Sequence, residues 1–204
     1  YSEWTIQKVA VQGSSLVESV VNAGSIKVGG IAGQLYKPGV IDQSKVGNSV
    51  IVMATQSNAS EIGGIVGNLL GTALTAGNFA TVQNSYSQAS VTSGAGTVGG
   101  VVGYTNYGKI LTSYFAGIAN HSGAATNERG IVGAVVNGTL TDNYFDSDVC
   151  ASASSYCAAT VLTGTTAWST NVMQTKTSYP AGFDFITTWK EPGVAGYMLL
   201  VWEP

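Results

Sequence analysis

A short glycine-rich signature comes round four times in this chain, and it constrains the fold more than any other feature. The copies read Gly29-Gly30-Ile31-Ala32-Gly33, Gly63-Gly64-Ile65-Val66-Gly67, Gly99-Gly100-Val101-Val102-Gly103 and Arg129-Gly130-Ile131-Val132-Gly133. They stand 34, 36 and 30 residues apart. A repeat of that size buries its apolar side chains by stacking on its neighbours rather than by closing a core of its own. The expected fold is therefore all-β, a right-handed parallel β-solenoid of four or five coils, the hand following the general preference of parallel crossovers. The glycines are expected at corners that need φ > 0.

A second element recurs after each signature. Val82-Gln83-Asn84-Ser85-Tyr86, Ile110-Leu111-Thr112-Ser113-Tyr114 and Leu140-Thr141-Asp142-Asn143-Tyr144 align, with Ile41-Asp42-Gln43-Ser44-Lys45 as a weaker first copy. Alternation along a strand puts the first, third and fifth positions on one face. Stacked, they predict an aliphatic column (Ile41, Val82, Ile110, Leu140), an inward polar column (Gln43, Asn84, Thr112, Asp142) and a tyrosine column (Tyr86, Tyr114, Tyr144). The tyrosines are expected to stack on one another.

Charged residues make up only 9% of the 204 residues, against 45% hydrophobic. That balance fits a β-rich exported protein whose surface is hydroxyl and amide, and it does not fit disorder. The net charge is −3 with eight scattered Lys and Arg, so no basic patch for nucleic acid is present. No charged residue lies between Glu61 and Lys109, and a hydropathy scan can mistake Ile62 to Val82 for a membrane span. Its glycines, Asn68 and Asn78 favour a solenoid wall, with no membrane insertion. Cys150 and Cys157 are too far apart for a redox Cys-x-x-Cys pair and too few for a metal site. They read as a local disulfide of an oxidising compartment, with two reduced structural thiols as the alternative.

From Cys150 onward the repeat stops, and the tail holds Trp168, Trp189, Trp202 and three of the four prolines. Residues 1–148 read as the repeats with a first coil or cap, and 149–204 as a C-terminal cap of the same domain. A short helix is expected within Thr163 to Gln174, capped by Thr165 or Thr166.

The signature, followed by Gly108-Lys109-Ile110 and Thr112-Ser113-Tyr114, resembles the GLUG-motif repeats of bacterial and archaeal cell-surface proteins. The tail is similar to the segment that closes such arrays, in Thr163, Thr166, Met173, Tyr179, Gly182-Phe183-Asp184-Phe185, Trp189 and Tyr197 to Trp202. Arg129, Lys45 and Met198 depart from the pattern. The resemblance covers about residues 24–202. It implies a secreted or cell-wall protein of the adhesin or stalk kind, and a fold of this sort names no ligand.

Candidate chemistry is sparse. His121 is the sole histidine, in a loop-like Asn120-His121-Ser122-Gly123, and neither a His-Glu-x-x-His nor a Gly-x-Ser-x-Gly motif occurs. Asp142, Asp146 and Asp148 cluster. Asp146 and Asp148 read as turn-forming residues, with a Ca²⁺ site or a glycosidase-like carboxylate pair as alternatives. Tyr36, Tyr104, Tyr107 and Phe115 lie off the tyrosine column and are the expected exposed aromatics of a binding edge. The function expected is non-enzymatic: an adhesive or structural module outside the cell or on its surface, at a pilus tip or in a filament. It would bind a polysaccharide, a cell-surface ligand or neighbouring subunits, without a cofactor. An ice-binding protein with a flat Thr face and a polysaccharide-cleaving β-helix enzyme are the alternatives.

Overall fold

The computed structural model describes residues 4–20, 24–55, 60–121, 128–150, 157 and 161–204. Its strands are two to five residues long, too short to persist unpaired. The first circuit runs Thr5–Gln7, Ala10–Val11, Leu16–Ser19, Ile26–Gly29 and Ala32–Tyr36. Each strand pairs in parallel with its counterpart one circuit later, Ile6 on Ile41 and Leu35 on Leu69 for example. The chain thus visits five parallel sheets in turn, of five, six, four, four and four strands, here called faces one to five. The protein is all-β with parallel sheets.

Every face sends one column inward. On face one it is Ile41, Val82, Ile110 and Leu140, in the register the sequence predicted, with Ile6 added at its start. Face two gives Val11, Val46, Ser87, Phe115 and Phe145. Val17, Val52, Val91 and Ala119 serve face three, and Val28, Ile62 and Val98 face four. Leu35, Leu69, Thr105 and Val135 complete the ring on face five. The apolar members form one continuous core.

Two expectations about the corners are overturned. Gln43, Asn84, Thr112 and Asp142 do not form an inward column. They occupy the corner between faces one and two at φ of 46°, 47°, 44° and 51°, where the left-handed turn reverses the alternation. Ile110 therefore points into the core while Tyr114 points out into a second cluster, and the two do not share a face. The inward polar column lies one residue on, at Ser44, Ser85, Ser113 and Asn143, each fully enclosed. It forms a ladder. The amides of Val9, Ser44, Ser85 and Ser113 donate to Ser44 Oγ, Ser85 Oγ, Ser113 Oγ and Asn143 Oδ1 at 3.2, 3.1, 3.3 and 3.2 Å. These groups could find no water inside, so the ladder satisfies a buried turn.

Nor do the signature glycines supply φ > 0. They are needed for close approach. A Cβ on Gly100 would lie 2.2 Å from Phe115 Cγ, and one on Gly130 would lie 2.1 Å from Phe145 Cγ. Gly64 stands in the same relation to Ser87, and Gly30 to Val46. The second glycine of each signature is the floor on which the inward column of face two rests.

The short helix expected within Thr163 to Gln174 is present as one turn, and a strand stands where its cap was expected. Thr165–Trp168 extends face two beyond Asn143–Asp146, and Thr165 Oγ1 donates to Leu162 O at 2.7 Å rather than capping a helix. Two β-branched residues favour that pairing. A single helical turn, Thr170–Met173, follows with Ser169 at its N-cap position. His121 ends the strand Ile118–His121 rather than lying in a loop. Ser122 and Gly123 lie outside the described residues.

Replacing Gly100 by Ala is expected to lower unfolding stability by about 1–3 kcal/mol, read from denaturant melting, because Phe115 has nowhere to move. Thr112→Asn should stabilise the fold by up to about 1 kcal/mol, read as a higher melting temperature, since Asn tolerates the left-handed region better than a β-branched residue and its amide can still donate to Asn84 Oδ1, as the Thr112 hydroxyl does at 2.6 Å.

Candidate functional site

The link from face five to face one is short in most circuits, spanning residues 37–39, 107–108 and 137–138. The second circuit inserts residues 71–80 there. This loop is tied down on itself and on both neighbours. Thr72 N and Ala73 N donate to Asn78 O at 2.8 and 3.2 Å, and Gly71 N donates to Asn106 O at 2.8 Å. From the circuit before, Lys37 Nζ donates to Thr72 Oγ1 at 2.6 Å and Asn78 Oδ1 at 2.9 Å. From the circuit after, Lys109 Nζ sits 3.7 Å over the Phe79 ring, a cation–π contact.

Between the loop and the first link lies a cleft of about 360 Å³ lined by Tyr36, Lys37, Pro38, Gly77 and Asn78. The Lys37–Pro38 peptide is cis. Two large aromatics stand half open at this corner, Tyr36 at 45% and Trp4 at 44% exposure. Trp4 packs close to Gly39, whose added Cβ would lie 2.6 Å from Trp4 Cζ2, and Trp4 O accepts from Val40 N at 3.1 Å. Tyr36, Lys37 and Asn78 thus line one concave edge, with Trp4 packed beside it at Gly39, a combination suited to a polar ring-shaped ligand.

Of the four aromatics expected to be exposed, the structure brings two to this edge. Tyr36 lines the cleft, and Tyr107 holds the next link at φ 54° with its carbonyl against Gly71 of the loop. Tyr104 lies within the strand Val102–Asn106, half-buried on the outer side of face five, beside Asn68 and Ala134. Phe115 is corrected: it is fully buried in the core, because the corner turn sends it inward and Tyr114 outward. Trp4, Lys37 and Asn78 were missed from the sequence. Counting would have found the loop, since the last signature glycine precedes the next inward aliphatic by 15 residues in the second copy and by 8, 7 and 7 in the others.

Asp146 and Asp148 form a junction in the tail. Asp146 is buried, and Asp148 N, Val149 N, Thr170 Oγ1 and Tyr197 Oη donate to its two oxygens at 2.9, 3.1, 2.7 and 2.6 Å. Asp148 Oδ2 accepts from Thr170 N at 2.9 Å. A carboxylate so fully engaged has no lone pairs turned to a cation or a substrate. Among the described residues no group of three or more His, Cys, Asp or Glu is placed to hold a metal. Asp142 stands half-buried at its corner, apart from this junction. Cys150 and Cys157 form a disulfide with Cα atoms 5.8 Å apart. No helix among the described residues is long and apolar enough to cross a membrane.

The tyrosine column is structural, and the tail covers it. Tyr86 and Tyr114 stack at 4.7 Å and 4°, while Tyr144 stacks on Trp168 at 3.8 Å. Trp189 and Phe183 fill the space above them. The tail then runs back along the stack. Tyr114 Oη donates to Met198 O at 2.6 Å, and Trp202 Nε1 to Gln43 O at 2.8 Å. At its end buried Glu203 accepts from Tyr86 Oη at 2.9 Å and pairs with Lys45, which occupies the tyrosine position of the second circuit.

No family model matches the chain, and neither the curated proteins nor the solved structures give a match.

The strap predicts an alkaline signature. Burial, and for Tyr86 also the Glu203 carboxylate, pushes the hydroxyls of Tyr86, Tyr114, Tyr179 and Tyr197 well above the ordinary tyrosine value. A raised folded pKa favours the neutral form, so its stabilisation is complete below about pH 10 and is lost as pH climbs toward the raised values. In a tyrosinate absorbance titration these four should ionise only together with unfolding. Ionisation of all ten tyrosines near pH 10 with the circular dichroism unchanged would contradict a buried strap.

Proposed function

We propose that this chain is a right-handed parallel β-solenoid of the GLUG-repeat kind, an exported, non-enzymatic surface module that binds a polysaccharide at the edge between faces five and one. One observation carries the reading: the second circuit lengthens the link from face five to face one, and its insertion builds a cleft beside two half-exposed aromatics. In repeat folds insertions collect on one edge, and that edge is often where ligands bind. Tyr36 and Trp4 would stack on the apolar faces of sugar rings while Asn78 and Lys37 take their hydroxyls. The disulfide supports an oxidising, extracellular setting. The alternatives are less well supported. Along face one the row Val40, Thr81, Lys109, Thr139 breaks any flat hydroxyl rank that would face ice. The partners of Asp146 and Asp148 are amides and hydroxyls.

A glycan array carrying neutral and acidic oligosaccharides tests the reading. A saturable hit should weaken about tenfold in Tyr36→Ala and in Trp4→Ala, the loss usual for a central aromatic. It should be unchanged in Val194→Ala, an exposed residue of the tail. Absence of any glycan hit, or hits insensitive to both aromatic variants, would sink it.

A further inference from the structure

We infer that the cleft selects an acidic polysaccharide, one carrying carboxylate or sulfate groups, and that Lys37 is the residue that reads the charge. The inference rests on the polysaccharide-binding reading above and names its ligand class. The protein as a whole is acidic, at −3, yet this edge reverses the sign. In residues 36–39, 70–81, 106–109 and 136–139, which build it, the charged residues are Lys37 and Lys109 alone. Neither is neutralised by a carboxylate. Among the described residues the ion pairs are Lys45 with Glu203 and Lys176 with Glu191.

The ammonium of Lys37 has three N–H donors. Two are held by neutral oxygens, Thr72 Oγ1 and Asn78 Oδ1, which fix its position and leave its charge. The third has no partner among the described residues, and Lys37 lines the cleft. Lys109 is held over Phe79 on the far flank of the same loop, and cation–π contact likewise leaves the charge unneutralised. No carboxylate is among the residues that line the cleft. Asp42, five residues along the chain, accepts from Gln7 Nε2, Gln83 Nε2 and Asn84 Nδ2 around the next corner. Glu61 accepts from Asn68 Nδ2. A half-buried, pre-positioned cation beside aromatic platforms favours an anionic sugar over a neutral one, because the charged hydrogen bond is the stronger and costs no rearrangement.

Two matched pairs of polymers test this on the intact chain: polygalacturonate against its methyl ester, and dextran sulfate against dextran. Affinity electrophoresis or calorimetry should show at least one acid member bound about tenfold tighter than its neutral partner. Which pair responds distinguishes carboxylate from sulfate. That preference should vanish in Lys37→Gln, return in Lys37→Arg, and shrink as NaCl rises from about 50 mM to about 0.5 M. The salt response is read on the unmodified chain, so it holds even if a variant folds poorly. Equal binding of acid and neutral members, binding of no polymer of the four, or acid binding unchanged in Lys37→Gln would overturn the inference. A neutral hit on the array that is lost in Tyr36→Ala would overturn it too, while leaving the surface-binding reading standing.

Discussion

The contact of the second signature glycine with the inward column of face two sets the spacing on which the rest of the molecule depends. Gly30, Gly64, Gly100 and Gly130 meet Val46, Ser87, Phe115 and Phe145 across the core. The pairing tightens along the stack, since the column grows from valine and serine to two phenylalanines while the opposing position stays a bare backbone. Large side chains on one wall and none on the other fill the interior at ordinary protein density without bowing the sheets. Because the match is made circuit by circuit, a slip of one repeat would place phenylalanine where serine fits, so packing helps fix the register that the parallel ladder alone leaves loose.

The second consequence comes from the corner that follows. With Gln43, Asn84, Thr112 and Asp142 in the left-handed region, the hydroxyl or amide after each one turns inward and the aromatic after that turns out. The buried ladder of Ser44, Ser85, Ser113 and Asn143 makes this turn possible inside an apolar core, because the amides of the three serines find a side-chain oxygen one circuit along and that of Asn143 finds Gly164 O. The outward tyrosines then form an apolar strip too large to leave in water. The tail answers it with Trp168, Phe183 and Trp189, and Glu203 closes the strip at Lys45, the position where the tyrosine is replaced by a charge.

Period and register were legible in the sequence because they depend on spacing, which needs no knowledge of backbone conformation. The inward aliphatic column of face one could be named residue by residue. What failed was every inference that carried alternation through a corner: Phe115 was placed outside and the polar column one residue early. Simple period-two reasoning cannot register a single residue at φ near 45°, and Gln, Asn, Thr and Asp at that position do not announce it as glycine would. The tail's strand was lost for a different reason. Thr165 and Thr166 suit a helix cap as well as a strand, and only the free edge of Asn143–Asp146 decides between them. The cleft was half legible: Tyr36 was visible as an aromatic out of register, whereas Trp4 and Lys37 acquire meaning only once a loop from another circuit stands beside them.

Where the site lies follows from the same packing logic. An extra residue within a strand would shift a whole face out of register, and one in the signature would displace a glycine from the column it supports. The corner between faces one and two is closed by the hydroxyl ladder and sealed by the tail. The link from face five to face one carries neither constraint, and lengthening a connection costs little chain entropy once its ends are held. Residues 71–80 use that freedom, and the neighbouring circuits hold the loop from both sides through Lys37 and Lys109. The links are where such a scaffold can vary without disturbing the stack, and at this one the chain keeps two cations that, among the described residues, have no partner of opposite charge.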